Sequence, residues 1–159
     1  MQIPDYVASY KATMASYIAL YGREKAMELV VGGQFHEIGI LESSALLTLG
    51  LRSTDCLVDV GCGSGRLAVA LRRFLKGKYV GTDILDEALI YAREKAGRPD
   101  WDFIETYQPV IPITEHQADM VCFFSVFTHL LDEDIFRFLA EAKRVMKPGG
   151  KIVFSYLDF

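Results

Sequence analysis

Apolar residues recur at three- and four-residue spacing through the first fifty residues, which is the pattern of helices with one buried face. The pattern predicts helices over Asp5–Tyr21, Arg23–Val31 and Ile40–Leu49. Gly22 and the pair Gly32-Gly33 interrupt the spacing, and Gly50 lies where a helix C-cap is expected. We therefore expect residues 1–50 to form a helical segment.

After Leu51 the pattern changes to short apolar runs that alternate with amphipathic stretches. The runs predict strands over Cys56–Val60, Tyr79–Thr82, Trp101–Thr106, Met120–Ser125 and Lys151–Tyr156. The stretches between them predict helices over Arg66–Phe74, Asp86–Lys95 and Asp132–Met146. Strand–helix alternation is typical of a parallel sheet with helices on both faces, so residues 51–159 predict an α/β fold.

Chain length and composition argue for a one-domain protein and against membrane-spanning, secreted and metal-binding proteins. A chain of 159 residues has the size of one domain. No apolar run approaches the roughly 20 residues that a membrane-spanning helix needs, and the N-terminus lacks a signal-peptide pattern. The three cysteines form no CxxC motif and no cluster with histidine, which argues against a disulfide framework and against a metal site. We expect a cytoplasmic protein without a metal.

The charge balance argues against a polyanionic partner. The formal net charge is −4, and the lysines and arginines form no long basic stripe. Proteins that bind nucleic acid neutralise phosphates with such a stripe. We therefore expect neither nucleic acid nor membrane as a partner.

A glycine-rich turn between the first predicted strand and the next helix is the strongest chemical signal. Its glycines are spaced GxGxG (Gly61, Gly63 and Gly65), whereas the dinucleotide fingerprint is GxGxxG. Asp59 precedes the first glycine by two positions, and an anion there repels a pyrophosphate but suits an ammonium or sulfonium group. The turn therefore favours S-adenosylmethionine over NAD as the cofactor. A NAD-dependent oxidoreductase remains the alternative function.

Asp83 lies at the end of the second predicted strand, 22 residues after Gly61. A carboxylate at this place accepts hydrogen bonds from both ribose hydroxyls of a nucleoside. The alternative is an N-cap for the next helix, a position that Asp86 fits equally well. Ile84, the next residue, has an apolar side chain that suits an adenine ring.

These motifs together resemble the class I, seven-stranded S-adenosylmethionine-dependent methyltransferases. The matching pieces are VDVGCGSG at residues 58–65, GTD at 81–83, ADMV at 118–121 and RVMKPGG at 144–150. They follow the family's order and spacing over residues from about 50 to 157. The resemblance implies a three-layer, Rossmann-like parallel sheet with an N-terminal helical extension that closes over the cofactor, and methyl transfer to a small-molecule acceptor.

The resemblance also assigns the site. Asp59 lies near the methionine ammonium, Asp83 holds the ribose, and Ser125 faces the methionine side of the cofactor. The predicted cofactor-binding residues are Asp59, Gly61, Cys62, Gly63, Gly65, Asp83, Ile84, Gln108 and Ser125. Cys62 contributes its backbone, since nothing basic adjoins it to activate the thiol. S-adenosylhomocysteine is the expected product.

Two positions leave alternatives open. The family often places an acidic residue after the third strand to accept from the adenine amino group, and here the register gives Tyr107 or Gln108, of which a glutamine oxygen is able to accept that bond. His129 follows the fourth strand, where the family builds its substrate mouth. It is either a general base or a residue that packs against or caps the next helix.

The end of the chain carries a further expectation. The family's sheet continues with a helix and an antiparallel hairpin, whereas this chain stops at Phe159, just after the fifth predicted strand. We expect a truncated methyltransferase whose fifth strand forms an exposed edge that pairs with a second copy in a homodimer. The alternative function is a cofactor-binding domain that lacks catalysis in this form.

Overall fold

The computed structural model describes residues 5–156, so the outermost residues of both predicted segments, 1–4 and 157–159, lie outside the described residues. The helices are α1 (Asp5–Tyr21), α2 (Arg23–Leu29), α3 (Phe35–Thr48), α4 (Arg66–Leu71), α5 (Asp86–Ala96) and α6 (Asp132–Val145), with a single 3₁₀ turn at Phe127–His129. The strands are β1 (Leu57–Val60), β2 (Tyr79–Asp83), β3 (Asp102–Glu105), β4 (Ala118–Phe123) and β5 (Met146–Phe154).

The five strands form one sheet in the order β3-β2-β1-β4-β5, and all neighbouring pairs are parallel. This confirms the predicted α/β fold. Strand β1 lies in the middle and is buried along its whole length, which explains why its sequence is almost continuously apolar. Among the described residues β5 pairs only with β4, so one edge of β5 is open.

Alternation along the strands sends side chains into two separate cores. On one face, Leu57 and Tyr79 pack in a cluster with residues of α3, α4 and α5. On the other face, Val58 and Val60 pack with Phe123 and with the buried side of α6. The helices thus cover both faces, and the sheet is the middle of three layers.

The three N-terminal helices build a third cluster. Met14 of α1, Met27 of α2 and Phe35 of α3 are buried against Leu85 and Tyr91 at the start of and within α5. The helical segment therefore rests on the domain close to the carboxyl end of β2 instead of standing apart from it.

Two predicted boundaries were wrong for identifiable reasons. Helix α3 begins at Phe35 and not at Ile40, since Phe35 is only 7% exposed and packs in the third cluster as soon as the chain leaves the Gly32-Gly33 turn. Strand β5 begins at Met146 and not at Lys151. Its Met146 pairs with Ala118 before the register with β4 shifts, which absorbs the glycine pair at 149–150 into the strand.

Candidate functional site

A cavity of about 1160 Å³ opens at the carboxyl ends of the strands. Ligands of parallel α/β sheets bind at this edge, because the loops after the strands meet there. The lining comes from the loops after β1, β2, β3 and β4, from α1, from the turn after α2 and from α6. The predicted residues in the lining are Asp59, Gly61, Cys62, Gly63, Asp83, Ile84, Gln108, Ser125 and His129.

Gly65 is the predicted site residue that the structure places elsewhere. Its φ is +87°, and a Cβ on it would lie 2.6 Å from the Cβ of Ala92 in α5. The glycine is therefore required where α4 begins and crosses close to α5, behind the cavity wall. Gly65 is not among the residues that line the cavity, and its contact with the cofactor stays a prediction.

The other two glycines of the loop face close neighbours across the cavity mouth. A Cβ on Gly61 would lie 2.5 Å from Cγ2 of Val126, and one on Gly63 would lie 2.5 Å from Cγ1 of Val31. Both residues also have positive φ, +73° and +54°. Any side chain at either position would strain the backbone and collide with Val126 or Val31.

The backbone N–H groups of this loop are already hydrogen-bonded. Gly61 and Cys62 both donate to the carbonyl of Thr82, at 2.8 and 2.9 Å, and Gly63 donates to Oδ2 of Asp83 at 2.8 Å. A pyrophosphate needs such N–H groups pointing at its oxygens. The N–H groups of Gly61, Cys62 and Gly63 are therefore not available to a phosphate, which agrees with the predicted preference for S-adenosylmethionine.

Asp59 is buried at the inner end of the cavity and is only 3% exposed. Its Oδ2 accepts from the hydroxyl of Tyr79 at 2.5 Å, and its Oδ1 accepts from the thiol of Cys122 at 3.5 Å. Burial raises the pKa of Asp59 to about 7, although the Tyr79 hydroxyl acts in the opposite direction. The carboxyl group therefore titrates near neutral pH when no ligand is present.

Asp83 is not the N-cap residue of α5, which is Leu85, but it contacts both the start of α5 and the glycine loop. Its Oδ1 accepts from the N–H of Leu85 at 3.0 Å, which supports the start of α5, while Oδ2 holds Gly63. Burial raises the pKa of Asp83, and the backbone donors oppose that shift. Since each carboxylate oxygen has two lone pairs, both oxygens retain the capacity to accept from a ligand hydroxyl.

Helix α1 covers the side of the cavity next to β3. The hydroxyl of Tyr6 donates to the carbonyl of Tyr107 at 3.1 Å. Lys11 forms ion pairs with Glu105 at 2.9 Å and with Asp86 at 3.2 Å. The carbonyl of Gln108 accepts from the N–H of Val110 at 2.7 Å, which fixes the loop that carries the Gln108 side chain.

The loop after β4 forms the opposite wall. Ser125 has a left-handed backbone with φ of 59°, and its N–H donates to Oγ of Ser155 at 2.7 Å. His129 ends the 3₁₀ turn and meets the ring of Tyr10 edge-on at 6.4 Å between ring centroids. His129 therefore lines the cavity and also packs against α1, while Leu131 and not His129 caps α6.

Sequence reasoning missed the buried ion pair between Arg66 and Glu42. Arg66 donates from Nη2 to Oε1 of Glu42 at 2.5 Å and from Nε to Oε2 at 3.1 Å, and both side chains line the cavity. Burial raises the pKa of Glu42, while the Arg66 guanidinium acts to lower it. The one available signal was a glutamate in the otherwise apolar and small-residue stretch of α3.

The same region ties the glycine loop to the N-terminal helices. Arg66 donates from Nη1 to the carbonyl of Val31 at 2.6 Å, and Ser64 donates from Oγ to the carbonyl of Met27 at 2.6 Å. Gly39 in α3 allows this contact, because a Cβ there would lie 2.6 Å from the Arg66 carbonyl oxygen. Three helices and the loop therefore share one set of contacts around Arg66.

Comparison with known proteins decides the family. Residues 58–154 match the methyltransferase domain family, which is more than half of the chain. The chain belongs to the class I S-adenosylmethionine-dependent methyltransferases. Family members bind S-adenosylmethionine, and the cavity of this methyltransferase domain fits that cofactor, since the carboxyl groups of Asp59 and Asp83 line it on either side of the glycine loop.

The names of related proteins indicate different methyl acceptors. This chain is 28% identical over 109 residues to N-terminal Xaa-Pro-Lys N-methyltransferase 2 of Danio rerio, and the matched stretch covers 65% of this chain and 39% of the relative. It is 32% identical over 100 residues to ribosomal protein L11 methyltransferase of Photobacterium profundum, which covers 62% of this chain and 32% of the relative. The chain thus spans about a third of the length of these relatives.

Solved structures share the fold. Phosphoethanolamine N-methyltransferase 1 of Haemonchus contortus, solved with phosphoethanolamine and S-adenosylhomocysteine, superposes with a TM-score of 0.72 at 21% identity, covering 96% of this chain and 33% of that one. A SAM-dependent methyltransferase of Aquifex aeolicus superposes with a TM-score of 0.63 at 25% identity, covering 74% of this chain and 65% of that one.

Residues 5–156 lack two other features. No group of three or more histidine, cysteine or acidic side chains in this part of the chain is placed to hold a metal ion. Within the same residues, no helix is long and apolar enough to cross a membrane.

The ion pair yields a stability prediction. Arg66→Met leaves Glu42 buried without its partner, so we expect the free energy of unfolding to fall by about 3 kcal/mol at neutral pH. Adding Glu42→Met should recover part of this loss. Lys25→Met, which breaks the exposed pair with Glu28, serves as control and should cost about 0.5 kcal/mol. Urea unfolding measures all three, and equal losses for Arg66→Met and Lys25→Met would contradict the prediction.

Proposed function

We propose that this domain binds S-adenosylmethionine in the cavity and transfers its methyl group to a nucleophilic atom of a small molecule, leaving S-adenosylhomocysteine. One observation carries the proposal: the glycine loop, whose Gly61, Cys62 and Gly63 N–H groups already donate within the chain, lies between the buried carboxyl group of Asp59 and the partly buried one of Asp83. This arrangement suits a ligand with a cation at one end and a ribose beyond it.

The residue roles follow from this placement. In the proposal Asp59 meets the methionine ammonium, and Asp83 accepts from the ribose hydroxyls. Ile84 and Gln108 adjoin the adenine. Gly61, Cys62 and Gly63 let the backbone approach the methionine part, and Ser125 lies across from them.

The choice of a small-molecule acceptor rests on the shape of the site. Helix α1 covers one side of the cavity through the contacts of Tyr6 and Lys11, and the cavity volume of about 1160 Å³ is close to that of small-molecule sites. The net charge of −4 disfavours a nucleic-acid acceptor. Relatives include a C-methyltransferase of ubiquinone/menaquinone biosynthesis from Marinomonas, 22% identical over 90% of this chain and 58% of the relative.

Methyl transfer from S-adenosylmethionine requires few protein groups beyond those that position the methyl donor and the acceptor. The bound sulfonium supplies a methyl group that is already electrophilic, so the chain's residues have to hold donor and acceptor in line and exclude water. His129 is the proposed base, since it lies in the lining and an imidazole accepts a proton near neutral pH. Tyr10 packs against the ring and limits its orientations.

The first fifty residues act in this proposal as the lid of the cofactor site, and residues 51–159 as its core. Arg66 and Ser64 hold the lid to the glycine loop. The alternative of a binding domain without catalysis predicts cofactor affinity with no methylated product. The described cysteines are free thiols, which supports the proposed cytoplasmic location.

The open edge of β5 supports a proposed homodimer. Phe154 beside it is 47% exposed and Tyr156 is 71% exposed, and an unpaired apolar edge favours strand pairing. Light scattering over a concentration series should show a dimer, and a strict monomer at all concentrations would contradict it.

Asp83→Asn tests the cofactor role. The change removes the charge that strengthens bonds to the ribose hydroxyls, so we expect S-adenosylhomocysteine to bind about ten- to a hundredfold more weakly. Asp86→Asn is the control: it lies three residues on, outside the lining, and pairs with Lys11. Calorimetric titration measures both variants, and equal affinities would count against the assignment.

His129→Gln tests the proposed base. We expect the methyl-transfer rate to fall about a hundredfold or more while the affinity for S-adenosylhomocysteine stays the same. The assay follows radiolabelled methyl transfer to a panel of small amines, phenols and quinols, with His36→Gln, outside the lining, as control. An unchanged rate would rule out the base, and labelled product from none of the panel with the unmodified chain would favour the binding-domain alternative.

A further inference from the structure

Asp59 owes its position to a residue of the neighbouring strand. The register of β1 with β2 pairs Leu57 with Tyr79 and Asp59 with Gly81. Tyr79 and Gly81 therefore point to the same face of the sheet, and the Tyr79 side chain lies one pair back from Asp59. To bring its hydroxyl within 2.5 Å of Asp59 Oδ2, the ring has to lean along the strand across Gly81.

Gly81 provides the space for this reach. A Cβ there would lie 3.0 Å from Cε1 of Tyr79, 2.8 Å from Sγ of Cys62 and 3.1 Å from Cδ1 of Phe103. Gly81 is part of a regular strand, so its need for glycine is steric and not conformational. The glycine of the GTD motif thus admits the ring that holds Asp59.

The Tyr79 ring is fixed from the other side. Trp101 stacks on it at 4.8 Å between ring centroids with an interplanar angle of 23°, and Phe103 packs at 5.6 Å. Trp101 is itself anchored, since its indole N–H donates to the carbonyl of Gly77 at 3.2 Å. Tyr79 is completely buried, so its hydroxyl has no water to bond instead.

The two donors to Asp59 differ in strength. A phenolic hydroxyl at 2.5 Å is a strong donor to a carboxylate, whereas a thiol at 3.5 Å is a weak one. Tyr79 is therefore the stronger of the two donors and fixes the orientation of the Asp59 carboxyl group.

We propose that Tyr79, seated over Gly81, is a positioning residue of the cofactor site: its hydroxyl orients Asp59 and stabilises the charged carboxylate that receives the methionine ammonium. The inference rests on the proposed function, in which Asp59 meets that ammonium. Tyr79 itself is not among the residues that line the cavity.

The proposal has a pH signature. The ammonium needs a charged Asp59, so the affinity is full above the pKa of Asp59, about 7, and falls as the pH drops below it. Loss of the Tyr79 donor raises that pKa further, which moves the fall in affinity to higher pH. The charged and titratable groups that face Asp59 from the packed elements are Tyr79 of β2, Cys122 of β4, Cys62 of the loop, Glu42 of α3 and Arg66 of α4.

Tyr79→Phe tests this role, because it removes the hydroxyl and keeps the stacked ring. We expect S-adenosylhomocysteine to bind about tenfold more weakly at pH 7, with the midpoint of its pH dependence shifted upward. Methylthioadenosine, which keeps the adenosine and the sulfur but lacks the ammonium, should bind the variant and the unmodified chain equally. Calorimetric titration from pH 6 to 9 measures both ligands.

Tyr91→Phe is the matched control. Its hydroxyl donates to Glu24 at 2.7 Å outside the cavity, so its loss should leave both affinities unchanged. An unshifted pH midpoint in Tyr79→Phe, or equal weakening of both ligands, would overturn the positioning role. Failure of the unmodified chain to bind S-adenosylhomocysteine would instead overturn the proposed function, so the two failures are distinguishable.

Discussion

A carboxyl group that is cut off from water has to be neutral or well supplied with donors, and this constraint shapes the site around Asp59. The group sits on the central strand, where a parallel sheet buries both faces. The hydroxyl of Tyr79 and the thiol of Cys122 donate hydrogen bonds to it, and the guanidinium of Arg66 lies nearby. The result is a carboxyl group with a pKa near neutrality at the inner end of a large cavity, which suits a ligand that brings its own positive charge.

Hydrogen bonding of polar groups within the chain also explains the glycine loop. The N–H groups of Gly61 and Cys62 donate to Thr82 and that of Gly63 donates to Asp83, so these three donors are not available to a ligand. Asp83 couples the two ends, since one carboxyl group fixes the loop and the start of α5 and also faces the cavity.

Much of the fold was readable from local pattern, because strand alternation, glycine turns and apolar periodicity are properties of short stretches. The contacts that complete the site were not. Arg66 and Glu42 are joined only when α3 packs on α4, and Tyr79 reaches Asp59 only through the strand register. Gly65 looked like part of the binding loop, but the reason for it lies in helix packing against Ala92. Each of these three contacts depends on tertiary packing, which the spacing of residues along the chain does not predict.

The central claim is that the cavity selects S-adenosylmethionine and its product. Titration of the unmodified chain with S-adenosylhomocysteine and, separately, with NAD tests it most directly by calorimetry. The account predicts saturable binding of one S-adenosylhomocysteine per chain and no measurable heat with NAD. Tight binding of NAD with none of S-adenosylhomocysteine would contradict it.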